Sequence, residues 1–236
     1  MIKKALLAAC PLLLAAPLAQ AVDWSVTPTV VSDYDFRGIT QTAGDPAFQV
    51  GATASGDSGL YGFAWASNLD DDSYPDADFE LDLGFGFAGG DSEMGVGYDL
   101  GFTYYAYPGN SDFDYFEVSA AVIKNWFQAK LWYSPEFAGV EDASAYYLES
   151  NGTFPLPQDF GLVVHLGYSG GDFWDDLDSE YFDFAVGVTK SFGSFDFALK
   201  YIDGSDLEAL DGTPDDVFTS ESKFVLSVST TLPLGE

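Results

Sequence analysis

His165 is the sole histidine and Arg37 the sole arginine of the chain, so chemistry resting on imidazole or guanidinium must use these two residues. One histidine supplies one ligand or one base; a metal cluster or a nucleophilic triad needs companions that the spacing does not identify. His165 is therefore expected to be structural or to line a pore. Arg37 stands beside Asp33 and Asp35. Two roles are open to it: an ion pair that fixes the first extracellular turn, or half of a charged constriction. The acid runs Asp70-Asp71-Asp72, Asp175-Asp176 and Asp215-Asp216 fit neither an EF-hand nor an RTX repeat. They read as solvated loop surface ahead of weak divalent-cation binding. No G-x-S-x-G, H-E-x-x-H or phosphate-binding loop occurs. The expectation is no enzyme, no cofactor and no metal site.

Bulk charge is more informative. The 236 residues carry 38 Asp+Glu against 8 Lys+Arg, a net charge of −30, and the pI is near 4.1. Phosphate backbones are repelled by such a surface, which excludes a nucleic-acid partner. Acidic chains are often disordered, but those are poor in aromatics, and this one holds 21 Phe, 14 Tyr and 5 Trp. The rings must be buried in protein or immersed in lipid.

Residues 1–21 read as a secretory signal: Lys3 and Lys4, an apolar run from Ala5 to Ala16, then Ala19-Gln20-Ala21 as a cleavage site. Its removal takes the single cysteine, Cys10, and deepens the net charge to −32, which excludes disulfides in an oxidising compartment. No later apolar stretch approaches the roughly 18 residues of a spanning helix.

Period two dominates the remainder, residues 22–236, which read as one domain. Met94, Val96, Tyr98, Leu100, Phe102, Tyr104 and Ala106 oppose a glycine-rich polar face, and the same holds from Phe79 to Phe87, Phe160 to Tyr168 and Phe182 to Val188. Twelve strands are expected, at 24–37, 46–55, 59–69, 78–88, 94–107, 114–124, 126–134, 143–150, 160–169, 180–190, 195–203 and 221–231. Their connections alternate between short turns and longer acidic loops, the signature of an up-and-down antiparallel transmembrane β-barrel with both termini at the short-turn, periplasmic end. A soluble sandwich or lipocalin-like barrel with its apolar face inward is the competing architecture.

Two patterns favour lipid outside. The polar face is rich in Gly, Ala, Ser and Thr, and aromatics gather at strand ends. Trp24, Trp126, Phe127, Phe192 and Phe195 are expected at the periplasmic rim. Tyr34, Phe36, Tyr104, Tyr133, Tyr168, Tyr181 and Tyr201 are expected at the outer rim. Lys124 and Lys190 are placed at periplasmic strand ends, where long cations snorkel. The same phasing lines the lumen with Asp33, Asp35, Asp78, Glu80, Asp82, Asp99, Glu117, Glu149, Asp183 and Asp196, against Arg37, Lys130, Lys200 and Lys223, with His165 on the same face. Carboxylates in a lumen favour cations over anions. Twelve strands lie between a filled interior and an open channel, so a narrow or partly plugged pore is expected. The glycine face near Gly62, Gly84, Gly86, Gly95, Gly97 and Gly101 leaves room on one side.

The run Ser32-Asp33-Tyr34-Asp35-Phe36-Arg37-Gly38-Ile39-Thr40-Gln41, followed by Gly44-Asp45-Pro46-Ala47, resembles the opening motif of the TorF-type porin family, long carried as a domain of unknown function. Ser58-Gly59-Leu60-Tyr61-Gly62 through Trp65-Ala66-Ser67-Asn68 is similar to the next hairpin of that family. So are Glu80-Leu81-Asp82-Leu83, Phe154-Pro155-Leu156-Pro157 and His165-Leu166-Gly167-Tyr168. The resemblance implies an outer-membrane barrel with channel activity. It departs at the C-terminus, which reads Leu234-Gly235-Glu236 where outer-membrane barrels commonly end in Phe or Trp.

The expected protein is a porin of the Gram-negative cell envelope that passes small solutes and prefers cations. Its partners are outer-membrane lipid and, during biogenesis, the barrel-assembly machinery. The alternatives are a non-conducting outer-membrane barrel acting through acidic surface loops and a soluble periplasmic β-protein binding an apolar ligand.

Overall fold

The computed structural model describes residues 22–205 and 222–234. The expected signal segment, most of the acidic loop after Gly204 and the final two residues lie outside them. Twelve antiparallel strands form a closed barrel. In chain order they are β1 (Val22–Val31), β2 (Ala47–Gly56), β3 (Leu60–Ser67), β4 (Glu80–Gly90), β5 (Gly97–Ala106) and β6 (Tyr115–Lys124). The second half comprises β7 (Phe127–Ser134), β8 (Ala145–Leu156), β9 (Phe160–Gly170), β10 (Tyr181–Phe192), β11 (Phe195–Gly204) and β12 (Lys223–Ser229, resuming at Leu232–Leu234). β12 closes on β1 through Val30↔Val228 and, past a break at Thr230-Thr231, Trp24↔Leu234. Closure leaves no free sheet edge, the condition for spanning hydrocarbon with strands.

Alternation decides the two surfaces. Phe85, Leu100, Val122, Leu166 and Phe224 stand outward and are 54–71% exposed, as an apolar belt requires. Trp24, Trp126, Phe127, Phe192 and Phe195 are exposed at the short-turn end, and Tyr104 and Tyr133 at the other. At the short-turn end Lys190 lies over the Phe160 ring at 4.7 Å.

The structure corrects several sequence expectations. β1 stops at Val31 instead of 37, because the chain leaves the barrel wall and turns inward as a small hairpin, Asp35–Phe36 against Ile39–Thr40. Tyr34 and Phe36 go with it, and Tyr181 is buried against Trp174, so these three do not belong to the outer rim. Asp78 lies in the loop before β4, exposed, with its backbone N–H on Pro108 O, and does not face the lumen. Gly62 shares the outward face of β3, because Tyr61, Phe63 and Trp65 take the inward one. Gly95 sits in the turn between β4 and β5.

The remaining inner glycines are not open space. A Cβ on Gly84 would lie 2.3 Å from the Phe63 ring, and one on Gly86 2.3 Å from the Tyr61 hydroxyl. Aromatic rings of β3 thus lie flat across the bare backbone of β4, a pairing that fills the barrel and protects those strands from solvent. Replacing Gly86 by Val is expected to lower the stability of the folded barrel by about 1–3 kcal/mol in urea titrations from lipid vesicles. Gly62→Ala, whose Cβ would meet nothing closer than 3.7 Å, should change it little.

Candidate functional site: a hairpin held in the lumen

The inward hairpin is built by its own sequence. Arg37 and Gly38 form its two-residue turn with φ of 55° and 84°, the left-handed pair that matches strand twist in tight hairpins. The Gly38 N–H donates to Asp35 Oδ1 at 3.1 Å. At the base Gln41 N–H donates to Tyr34 O at 2.7 Å, and Thr40 Oγ1 donates to Asp33 Oδ1 at 2.5 Å. Lys223 of β12 places Nζ 2.7 Å from Asp33 and 2.8 Å from Asp35, tying the base to the barrel wall. Asp70 N–H donates to Gln41 O at 3.0 Å, and the Tyr74 hydroxyl donates to Gln41 Oε1, so the β3–β4 loop clips the hairpin from above.

Its tip crosses to the far wall. Arg37 makes a two-pronged pair with Glu117 of β6, Nη1 to Oε1 at 2.9 Å and Nη2 to Oε2 at 2.7 Å, with the side chains 8% and 1% exposed. Tyr105 donates a third bond to Glu117 Oε2 at 2.9 Å. The guanidinium also lies over the rings of Tyr147 at 4.4 Å and Phe36 at 4.6 Å, and Tyr181 donates to the Arg37 carbonyl at 2.9 Å. A Cβ on Gly38 would come within 2.7 Å of Asp183 Cβ, so the tip is packed hard against β10. Burial works against the Arg37 charge, but Glu117 outweighs it and holds the guanidinium above its ordinary value. At Asp35 burial outweighs the opposing pull of Lys223 and raises the carboxyl.

Below the tip lies a chamber of about 520 Å³ lined by Arg37, Asp82, Trp132, Glu149, His165, Asp183 and Lys200 among others. Beside the hairpin base, between β1, β2, β11 and β12, a smaller space of about 240 Å³ opens. Above it, a cavity of about 270 Å³ is walled by loop aromatics including Tyr74, Tyr107, Phe113, Phe137 and Trp174. Phe36 and Arg37 border both this outer cavity and the chamber, and so form the partition between them.

The remaining expected site residues fall into separate groups. His165 gains the partners its sequence could not name: Nε2 lies 2.9 Å from Asp183 Oδ1 and 2.8 Å from the Tyr147 hydroxyl, and Nδ1 lies 2.7 Å from Asn151 Oδ1. Asn151 donates on to Glu149, as does Trp132. Lys130 stands 3.8 Å from Asp99 and 3.8 Å above the Trp132 ring, and Tyr61 donates to Asp99 at 2.9 Å. Glu80 is buried beside Tyr107. Asp196 sits at the start of β11 near the short-turn end, exposed and bonded by Ser191, away from the chamber. Of the two roles open to Arg37, the structure has an ion pair at the first turn, but its partner is Glu117; the neighbouring Asp33 and Asp35 belong to Lys223, because the reversal at Gly38 aims Arg37 across the lumen. Tyr147, Trp132, Trp65 and Phe63 were missed; their inward positions follow from strand phase alone.

A family model described as a bacterial protein of unknown function (Gcw_chp) matches residues 15–232. No curated protein matches the sequence. Among solved structures the chain is similar to the NanC porin, with a TM-score of 0.58 at 9% identity over 89% of this chain and 100% of that one. It is also similar to the KdgM porin, with a TM-score of 0.55 at 9% identity over 87% of this chain and 98% of that one. KdgM porin is also seen in complex with disordered oligogalacturonate, at a TM-score of 0.51 and 8% identity over 89% of this chain and 98% of that one. At these identities the likeness is one of fold. The matching family is Gcw_chp, not one bearing the TorF name, while the porin architecture expected from that resemblance is present.

Arg37→Ala leaves Glu117 buried without its cation and is expected to cost about 3–5 kcal/mol in urea titrations. Arg37→Ala combined with Glu117→Gln should recover a large part of that loss, which a double-mutant cycle measures.

Proposed function

The chain belongs to the Gcw_chp family, and we propose that it is an outer-membrane channel that passes small solutes and prefers cations. One observation carries the reading: the lumen around the hairpin holds more acids than cations. Asp33, Asp35, Glu80, Asp82, Asp99, Glu117, Glu149 and Asp183 face inward or lie on the hairpin, against Arg37, Lys130, Lys200 and Lys223. Low-dielectric walls focus that surplus, which lowers the energy of a passing cation and raises that of an anion.

The apolar exterior supports an outer-membrane location, since a soluble protein would not present Phe85, Val122 and Leu166 to water. Oligogalacturonate, found with KdgM porin, is a chain of carboxylates and is the kind of solute this lumen charge repels. Fold is shared; the lumen sets the solute class. A second reading has one observation in its favour. The hairpin and the loop aromatics occupy the outer half of the barrel, as in a non-conducting barrel that acts through its acidic loops.

Purified protein in planar bilayers separates the two. Discrete conductance steps are expected, with a reversal potential of cation sign in a salt gradient. Deleting 35–40 with a short Gly-Ser bridge should raise the unit step severalfold. Silent membranes, or a reversal potential of anion sign, contradict the proposal.

A further inference from the structure

Most lumenal carboxylates have a close cation or hydrogen-bond donor, Trp132 and Asn151 serving Glu149 and Tyr147 serving Asp183. Glu117 has Arg37, Asp33 and Asp35 share Lys223, Asp99 has Lys130, and Asp183 and Glu149 flank the His165 ring. Glu80 and Asp82 form no ion pair among the described residues. They are two residues apart on the inward face of β4, which sets their Cα atoms roughly 6.5–7 Å apart. Glu80 is 2% exposed; one of its oxygens accepts a long 3.4 Å bond from the Tyr107 hydroxyl, and the other, Oε2, is buried with no donor. Asp82 Oδ1 is likewise buried without a donor, while the residue borders the chamber of about 520 Å³. Tyr34 approaches the pair from the hairpin side; burial pushes its hydroxyl up, and the neighbouring Glu80 and Asp82 push it further.

Two acids side by side, each with a buried oxygen that no donor reaches, cannot both keep their charge unless a positive species, a shared proton or a metal ion, lies between them. We propose that Glu80 and Asp82 form a binding station for a divalent cation, reached from the chamber past Asp82. A divalent ion cancels both charges, whereas a monovalent ion leaves one standing. Hard cations of this class bind carboxylate and hydroxyl oxygens. Two carboxylates and the neighbouring phenols do not fill a six- to eight-oxygen shell, so chamber water completes it. No three His, Asp or Glu side chains converge as a metal site among the described residues. An incomplete protein shell suits a station that must also release its ion. The station deepens the channel reading above, on which the ion's route depends.

Terbium(III) binding to the detergent-folded barrel tests it, since nearby tyrosines sensitise terbium emission and Ca²⁺ competes for the same oxygens. Glu80→Gln and Asp82→Asn each remove an unpaired buried charge and so should fold at least as well, which a heat-dependent gel shift checks. Each is expected to weaken tyrosine-sensitised terbium binding at least tenfold, while Asp71→Asn in the β3–β4 loop leaves it unchanged. Coincident titrations for wild type, E80Q and D82N overturn the station, because the emission then arises elsewhere and the pair holds a proton instead. Bilayer recordings keep the two claims apart. Terbium loss in both variants with silent membranes upholds the station and sinks the channel. Cation-preferring currents with coincident terbium titrations do the reverse.

Discussion

Arg37 carries a full charge into a barrel interior, and much of the molecule is arranged around meeting it. Its side chain is 8% exposed and that of Glu117 1%. Neither group is tolerable there alone; removing one partner of such a pair commonly costs several kcal/mol. Two parallel bonds, a third from Tyr105 and the face of Tyr147 make the position specific as well as stable. Because Arg37 sits in the turn of a hairpin, fixing the guanidinium fixes the hairpin across the lumen. The β3–β4 loop then bonds down onto it, and aromatic side chains from further loops pack above.

This arrangement gives the aromatic residues a second destination. Composition and strand ends suggest lipid and rim positions, and Trp24, Trp126 and Phe192 follow that rule. Yet Tyr34, Tyr105, Tyr107, Tyr115, Phe137, Trp174 and Tyr181 build a buried cluster inside the outer half of the barrel. Tyrosine suits the place because its ring packs while its hydroxyl reaches a carboxylate, as Tyr105 does at Glu117 and Tyr147 at Asp183. Acid and aromatic excess are therefore one design inside the lumen: carboxylates set the field, and phenols help to satisfy them.

Strand number, closure and the two kinds of connection are legible in the sequence because period two is a local property. The inward face of β6 put Glu117 in the lumen by phase, and Arg37 stood out as the sole arginine. Their pairing was not legible, since the partners lie eighty residues apart and meet only when the hairpin turns inward. The hairpin hid for a particular reason. Asp33, Asp35 and Arg37 continue the alternation of β1, so the phase runs unbroken past the point where the wall ends. The available signal was Arg37-Gly38 between Asp35-Phe36 and Ile39-Thr40, a two-residue turn flanked by strand residues. The inner glycines misled in the opposite sense: bare backbone read as free volume, whereas Tyr61 and Phe63 of the neighbouring strand lie across it.

Docking of the hairpin in the lumen by Arg37 and Glu117 underlies the rest of the interior, and amide hydrogen exchange across 33–42 in the folded, lipid-reconstituted barrel reads it out. Protection close to that of the barrel strands is expected, with its loss in Glu117→Gln while the strands stay protected. Exchange in the unmodified protein as fast as in the exposed turn after β2 would contradict it.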